Sequence, residues 1–286
     1  MSLALTSRWC ERPGDLAVDL HTIDHVLVPR TRADLPEPAP GIGFIGGGTW
    51  LYSEPQPQLS ALVDLAGLDW EPITVTDHGV EIAATCTIEE LCRAQLPASF
   101  RAAPLFQNCA DALLASWKVL RYATVGGNIA LAFPAGAMTT MAATLDGDLT
   151  IWRPDGSEYR IPTTDFVIDN GINALGVGEI IRGITLPTHA LSARTAIRKL
   201  APTTLGRSSV LIAGRRGTDG FTLVVTASTR RPYVLRFTEH PNATDVADAL
   251  RRQIPADAYF TDVHGSASWR CAMTALLAEE VREELT

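Results

Sequence analysis

The residues in this sequence best suited to chemistry are glycines and hydroxyls, gathered in two stretches: "APGIGFIGGGTW" (residues 39–50) and "LRYATVGGNIALAFPAG" (residues 120–136). Residues without a Cβ let consecutive backbone N–H groups converge on one concavity, a nest suited to a pyrophosphate. In the first stretch Gly46, Gly47 and Gly48 are followed by the hydroxyl of Thr49; in the second, Thr124, Gly126, Gly127 and Asn128 combine a hydroxyl, paired glycines and an amide. Taken alone, each also reads as a tight turn, between strands in the first case and from helix to strand in the second. Two such groups about 80 residues apart, both beside apolar segments, point to one shared phosphate ligand.

The first stretch also spells a formal G-x-G-x-x-G at Gly41, Gly43 and Gly46, with Asp64 as an acid at the right distance. A dinucleotide fingerprint needs a strand before it and a helix after it. Pro36, Pro38 and Pro40 remove the ladder donors of such a strand. The helix would open on three glycines, each costing about 1 kcal/mol against alanine. The stretch therefore reads as a short strand, Ile42 to Ile45, followed by a glycine loop.

No other constellation carries chemistry. The five cysteines, Cys10, Cys86, Cys92, Cys109 and Cys271, contain no C-x-x-C clip and read as reduced, mostly buried thiols. His21 and His25 have i, i+4 spacing but no third ligand nearby, and read as surface residues. The sequence assigns this chain no metal and no catalytic acid or base. With 24 basic against 32 acidic residues, its net charge of -8 disfavours nucleic acid and anionic membranes. No apolar run approaches the roughly 18 residues of a membrane span, and "MSLALTSRWCERPGDL" lacks the basic and apolar regions of a secretory signal. The reading is cytoplasmic.

The elements that must position the two glycine stretches follow from local patterns. "ITVTDHGVEIAA" predicts a hairpin turning at His78-Gly79, and Thr87 with Glu90 a capping box opening a helix through "IEELCRAQ". A second helix is expected through "PLFQNCADALLASW", and a hairpin at Pro154-Asp155-Gly156. The strand ending at Pro187 closes this part, with a domain boundary between Pro187 and Arg194. Beyond it come the strand "FTLVVTAS", a helix capped at Thr244, and a long last helix. Its apolar face reads as Trp269, Ala272, Met273, Leu276 and Leu277, until glutamates from Glu279 interrupt it.

In order along nearly the whole chain, "FIGGGTW", "LVDLAGL", "VEIAATCTIEEL", "ATVGGNIALAFPAG", "LGVGEIIRGITLP", "IRKLAP" and "DVHGSASWR" resemble the FAD-binding medium subunit of the molybdenum hydroxylases, the xanthine dehydrogenase and carbon monoxide dehydrogenase family. The resemblance implies an α+β protein: two α/β FAD-binding subdomains of the PCMH type, then a C-terminal α+β domain with a small antiparallel sheet and helices. The implied boundaries are residues 1–57, 58–187 and 188–286. It also implies that Ile45 through Trp50, together with Thr124, Gly126, Gly127, Asn128 and Pro134, clasp the FAD, that Ile181 walls the isoalloxazine, and that Lys199 lies near the ring. Iron-sulfur clusters and molybdopterin would belong to separate small and large subunits in a dimer of heterotrimers, with electrons passing through FAD to NAD or another acceptor.

Two departures stand out. Relatives of this type carry an aspartate after the proline motif, where this chain has Ala137, and a small or acidic residue where it has Trp50. Loss of one charge-assisted hydrogen bond is worth about 1.5–3 kcal/mol. A free-standing flavin oxidoreductase and a flavin-free assembly subunit therefore stand as alternatives to the electron-transfer subunit.

Overall fold

The computed structural model describes residues 20–286; the opening stretch, Cys10 included, lies outside the described residues. Strands β1 (His25–Leu27), β2 (Ile42–Ile45) and β3 (Ala61–Asp64) form a parallel sheet in the order β1-β3-β2. The central strand is the apolar one, with Ala61, Leu62 and Val63 buried. Its position corrects the expected boundary at residue 57. β3 belongs to the first sheet, and the next sheet begins only at β4 (Ile73–Thr76).

β4 and β5 (Gly79–Ala83) make the expected hairpin, with Asp77 and His78 as its loop and Gly79 already in the strand. Gly79 is required there: at φ +143°, a Cβ would stand 1.9 Å from the Leu186 carbonyl oxygen. The capping box opens α1 (Ile88–Arg93), Glu90 N–H donating to Thr87 Oγ1 at 3.2 Å and Thr87 N–H to Glu90 Oε2 at 2.8 Å. The single helix expected next is two, α2 (Pro104–Ala112) and α3 (Trp117–Tyr122). Leu114 turns the chain at φ +51°, and Ser116 caps α3 by accepting from Val119 N–H, so a local cap overrides the continuing apolar pattern.

After α4 (Val125–Ala130) and α5 (Ala137–Thr144), the hairpin β6 (Asp148–Trp152) and β7 (Glu158–Pro162) turns at the predicted Pro-Asp-Gly. One helical turn, α6 (Thr163–Phe166), and the short pair β8 (Val167–Asp169) and β9 (Ile172–Asn173) lead into β10 (Ile180–Pro187). The resulting antiparallel sheet has the order β4-β5-β10-β6-β7 and shares one core with the helices around Ile82, Leu105, Ile129, Met138 and Ile184.

A turn, α7 (Thr188–Leu191), precedes the last sheet, an antiparallel meander of β11 (Arg194–Leu200), β12 (Val210–Gly217), β13 (Gly220–Thr226) and β14 (Tyr233–Phe237). Helices α8 (Ala243–Gln253) and α9 (Ala267–Glu284) complete an α+β protein. The cap of α8 is Asn242 rather than Thr244, because Asn242 and Asp245 satisfy each other's backbone N–H groups at 3.0 Å. The buried face of α9 is Arg270, Thr274, Leu277, Ala278 and Val281, while Leu276 is exposed. The apolar stripe expected there is thus rotated, because a buried arginine and a buried threonine sit on the core side.

α5 joins the two larger layers. It packs against α2 and α4 on one side and against β12 and β13 on the other, and all of its residues are buried. One of its hydroxyls bonds across the seam, Thr140 Oγ1 lying 2.8 Å from Thr226 Oγ1. Just beyond it, Asp146 accepts from Arg236 at 2.6 Å and faces Arg215 at 2.7 Å and His189 at 3.1 Å. Arg215 is 1% exposed and also meets Asp219 at 2.8 Å.

Burial raises the Asp146 carboxyl, but the Arg236 hydrogen bond and the charges of Arg215 and Arg236 outweigh it and hold the group below the usual carboxylate range. A folded value below the unfolded one contributes stability that is present above the unfolded pKa and lost as pH falls through the folded one. We predict that Asp146→Asn costs about 2–3 kcal/mol at neutral pH, Asp219 still serving Arg215, and that this deficit shrinks below about pH 4. Thermal melts of both proteins from pH 3 to 7 check this; parallel curves would refute it.

Candidate functional site

Ile45 pairs with Asp64, the last residue of β3, so the chain leaves the sheet at Gly46. The loop then crosses the end of α3 at contact distance. A Cβ on Gly46 would stand 2.5 Å from Thr124 Oγ1, and one on Gly47 only 1.6 Å from the Tyr122 carbonyl oxygen. Backbone meets backbone here, and only glycine permits it. Gly48 takes φ +70° under the Tyr52 ring. Among the described residues, no protein acceptor meets the N–H groups of Gly47, Gly48 or Thr49. These are the donors of the nest.

The second stretch works differently. Thr124 caps α4, accepting from Gly127 N–H at 3.1 Å. Val125 N–H goes to the Cys86 carbonyl, Gly126 N–H to that of Ala84, and Asn128 N–H to that of Thr124. The expectation that this stretch offers amides to an anion is therefore corrected: its amides are used within the protein, and it supplies shape and side chains. A Cβ on Gly126 would stand 2.5 Å from Ala84 Cβ and 2.7 Å from its carbonyl oxygen, so this glycine seats α4 on the end of β5. A Cβ on Gly127 would meet only Thr124 Oγ1, at 2.8 Å. Asn128 Oδ1 accepts from Met138 N–H at 3.1 Å, which leaves the amide NH2 as the half available to a ligand.

Between the two stretches lies a cleft of about 350 Å³, with Ile45 through Leu51 on one wall and Thr124, Gly127, Asn128 and Leu131 on the other. A second cleft of about 520 Å³ continues from it and shares Thr49, Trp50, Ala123, Asn128 and Leu131. It runs past Phe133 and Pro134 to Arg207, Phe260 and Asp262. Trp50 stands where the two meet, edge-on to Phe133 with ring centroids 4.8 Å apart and planes at 70°.

The far wall is held by Arg270, 1% exposed, which donates to the carbonyls of Ser209 and Ala227 and to Asp262 Oδ1 at 2.5 Å. Its guanidinium lies 4.2 Å from the Phe260 ring centroid. Burial raises the Asp262 carboxyl, but the His264 N–H and Arg270 hold it below the usual range, so it stays ionised and has no proton to give. This positioning pair was not found from sequence, although Arg270 ends the quoted "GSASWR". The available signal was a lone arginine on an otherwise apolar helix face.

Three expected site residues fall elsewhere or are changed in role. Ile181, in β10, is 4% exposed, belongs to the main hydrophobic core and lines neither of these clefts. Lys199 lines a separate cleft of about 630 Å³ between α2 and β11. Burial lowers its ammonium below the ordinary lysine value. Pro134 does line the larger cleft, and its carbonyl accepts from Ala227 N–H at 2.7 Å. Ala137 is 0% exposed at the start of α5 and lines neither cleft. Asp146, His189 and Asp219 cluster within 4.8 Å, but Arg215 and Arg236 neutralise the carboxylates.

Residues 30–189 match the family described as the FAD binding domain in molybdopterin dehydrogenase, a match over more than half of the chain. The chain belongs to this family. Its fold is similar to that of reconstituted CO dehydrogenase from Oligotropha carboxidovorans, with a TM-score of 0.75 and 20% identity over 92% of this chain and 97% of that one. Quinoline 2-oxidoreductase from Pseudomonas putida 86 superposes with a TM-score of 0.72 and 19% identity, covering 92% and 96%. The CO dehydrogenase of Hydrogenophaga pseudoflava, in a form that lacks the Mo-pyranopterin moiety of its molybdenum cofactor, gives 0.71 and 18%, covering 91% and 96%. No curated protein matches.

As a member of this family the chain is an oxidoreductase flavoprotein, and FAD is its cofactor. The residues fit the group. Unspent N–H donors at Gly47, Gly48 and Thr49 face a cradle that a Cβ at Gly127 would fill, and the two clefts meet end to end as an elongated dinucleotide requires. We predict that Gly127→Val yields folded but flavin-poor protein, whereas Gly126→Val destabilises by about 1–3 kcal/mol because it strikes backbone at Ala84. Flavin-to-protein absorbance ratios and melting curves of the two variants test this; wild-type flavin content in Gly127→Val overturns the assignment.

Proposed function

We propose that this chain is the electron-transfer flavoprotein subunit of a heteromeric molybdenum hydroxylase. The observation that carries the reading is the pairing of a flavin-sized double cleft with a lack of acid-base machinery in it. Among the described residues the only carboxylate lining this cleft of about 520 Å³, Asp262, is occupied by Arg270 and the His264 N–H. Bound FAD supplies reversible one- and two-electron chemistry at its ring. The chain's residues bind and orient: the Gly47–Thr49 amides and the Asn128 NH2 hold the phosphates, and Phe133, Pro134 and Phe260 exclude water along the wider cleft.

The iron-sulfur small subunit and the molybdopterin large subunit are the proposed partners, in a dimer of heterotrimers, with NAD or another acceptor at the end of the path. Their support is the fold shared over more than nine-tenths of the chain with the flavin subunits of CO dehydrogenases and quinoline 2-oxidoreductase. Among the described residues no helix is long and apolar enough to cross a membrane, which suits the proposed cytoplasmic setting.

Two outcomes are expected. The chain recovered from its native cell brings iron and molybdenum with it, and acid precipitation releases all its flavin, since no covalent link is proposed. A chain recovered alone, free of both metals and reduced directly by organic substrate, would favour a free-standing oxidoreductase instead. Colourless protein that takes up no added FAD would favour a flavin-free assembly role.

A further inference from the structure

Trp50 is the one tryptophan among the described residues that lines the double cleft. Its backbone is fixed, with Ser53 N–H and Ser53 Oγ both donating to its carbonyl at 2.9 and 2.8 Å. Its ring meets Phe133 in a T-shaped contact, centroids 4.8 Å apart, and the residue remains 43% exposed. The contrast with the other tryptophans is informative. Trp70 and Trp152 meet edge-to-face, and their faces are covered by the guanidinium groups of Arg182 and Arg32. Among the described residues no cation lies over Trp50 and Phe133 is its one ring contact, which leaves indole surface exposed at the junction of the two clefts.

We propose that Trp50 is a stacking platform for the isoalloxazine ring of FAD. The inference rests on the reading of this chain as a flavoprotein and deepens it. A flat tricycle and a rigid indole gain by offset stacking, and the electron-rich indole complements the electron-poor oxidised flavin. Isoalloxazine rather than adenine is the assigned partner because the larger of the two clefts that Trp50 lines, about 520 Å³ against about 350 Å³, is the one that continues past the aromatic rings of Phe133 and Phe260.

The test uses the full chain stripped of flavin, titrated with FAD and separately with ADP, for wild type, Trp50→Leu and Trp50→Phe. Emission from flavin bound to wild type is expected to be strongly quenched by electron donation from the indole, and to brighten severalfold in Trp50→Leu. FAD affinity should fall about three- to tenfold in Trp50→Leu and recover largely in Trp50→Phe. ADP, which carries the pyrophosphate and adenine but no isoalloxazine, should bind all three proteins alike. Unchanged FAD affinity and emission in Trp50→Leu overturns the proposal, as does an equal loss of FAD and ADP, which would place adenine on the indole. Wild type that binds no FAD would instead remove the flavoprotein reading itself. Circular dichroism melts confirm that the variants remain folded.

Discussion

The site depends on two places where main chain touches main chain with nothing between. Gly47 passes the Tyr122 carbonyl, and Gly126 passes Ala84, closer than any side chain would allow. The first contact fastens the parallel sheet to the end of α3; the second fastens α4 to the end of β5. Remove either and the walls of the smaller cleft separate. The hydrogen-bond pattern follows from this placement. Because α4 sits against Ala84 and Cys86, its first amides are answered by their carbonyls, whereas the backbone N–H groups of the glycine loop after β2 meet no acceptor among the described residues.

Much of the local structure was legible because each signal had a short-range cause. The strand Ile42–Ile45, the Thr87 and Glu90 capping box, and the Pro-Asp-Gly hairpin each depend on residues within a few positions of one another. The helix divided at Leu114 and the cap at Asn242 are also local, but there two plausible signals competed and the better hydrogen-bond acceptor prevailed.

What the sequence did not disclose depends on distant partners. The role of Gly126 is set by Ala84, that of Asn128 by Met138, and that of Arg270 by carbonyls of Ser209 and Ala227. Ile181 illustrates the same limit. Alternation along a strand shows that two faces exist, not which one looks at a ligand, and the bulge in the β10–β6 pairing between Ile181 and Gly183 alters that alternation locally. The face of α9 was misjudged because the expectation took apolarity as the mark of burial, whereas Arg270 is buried through its polar contacts.

α5 has a mechanical consequence. Since it belongs at once to the core under the five-stranded sheet and to the seam against β12 and β13, the two layers cannot hinge apart without exposing a helix whose residues are all buried. The wider cleft takes one wall from each of these layers, through Pro134 and through Phe260. Its width is therefore fixed when the chain folds rather than when the ligand arrives. Little conformational entropy remains to be surrendered on binding, and a ring held there keeps a constant distance to whatever electron donor or acceptor docks outside.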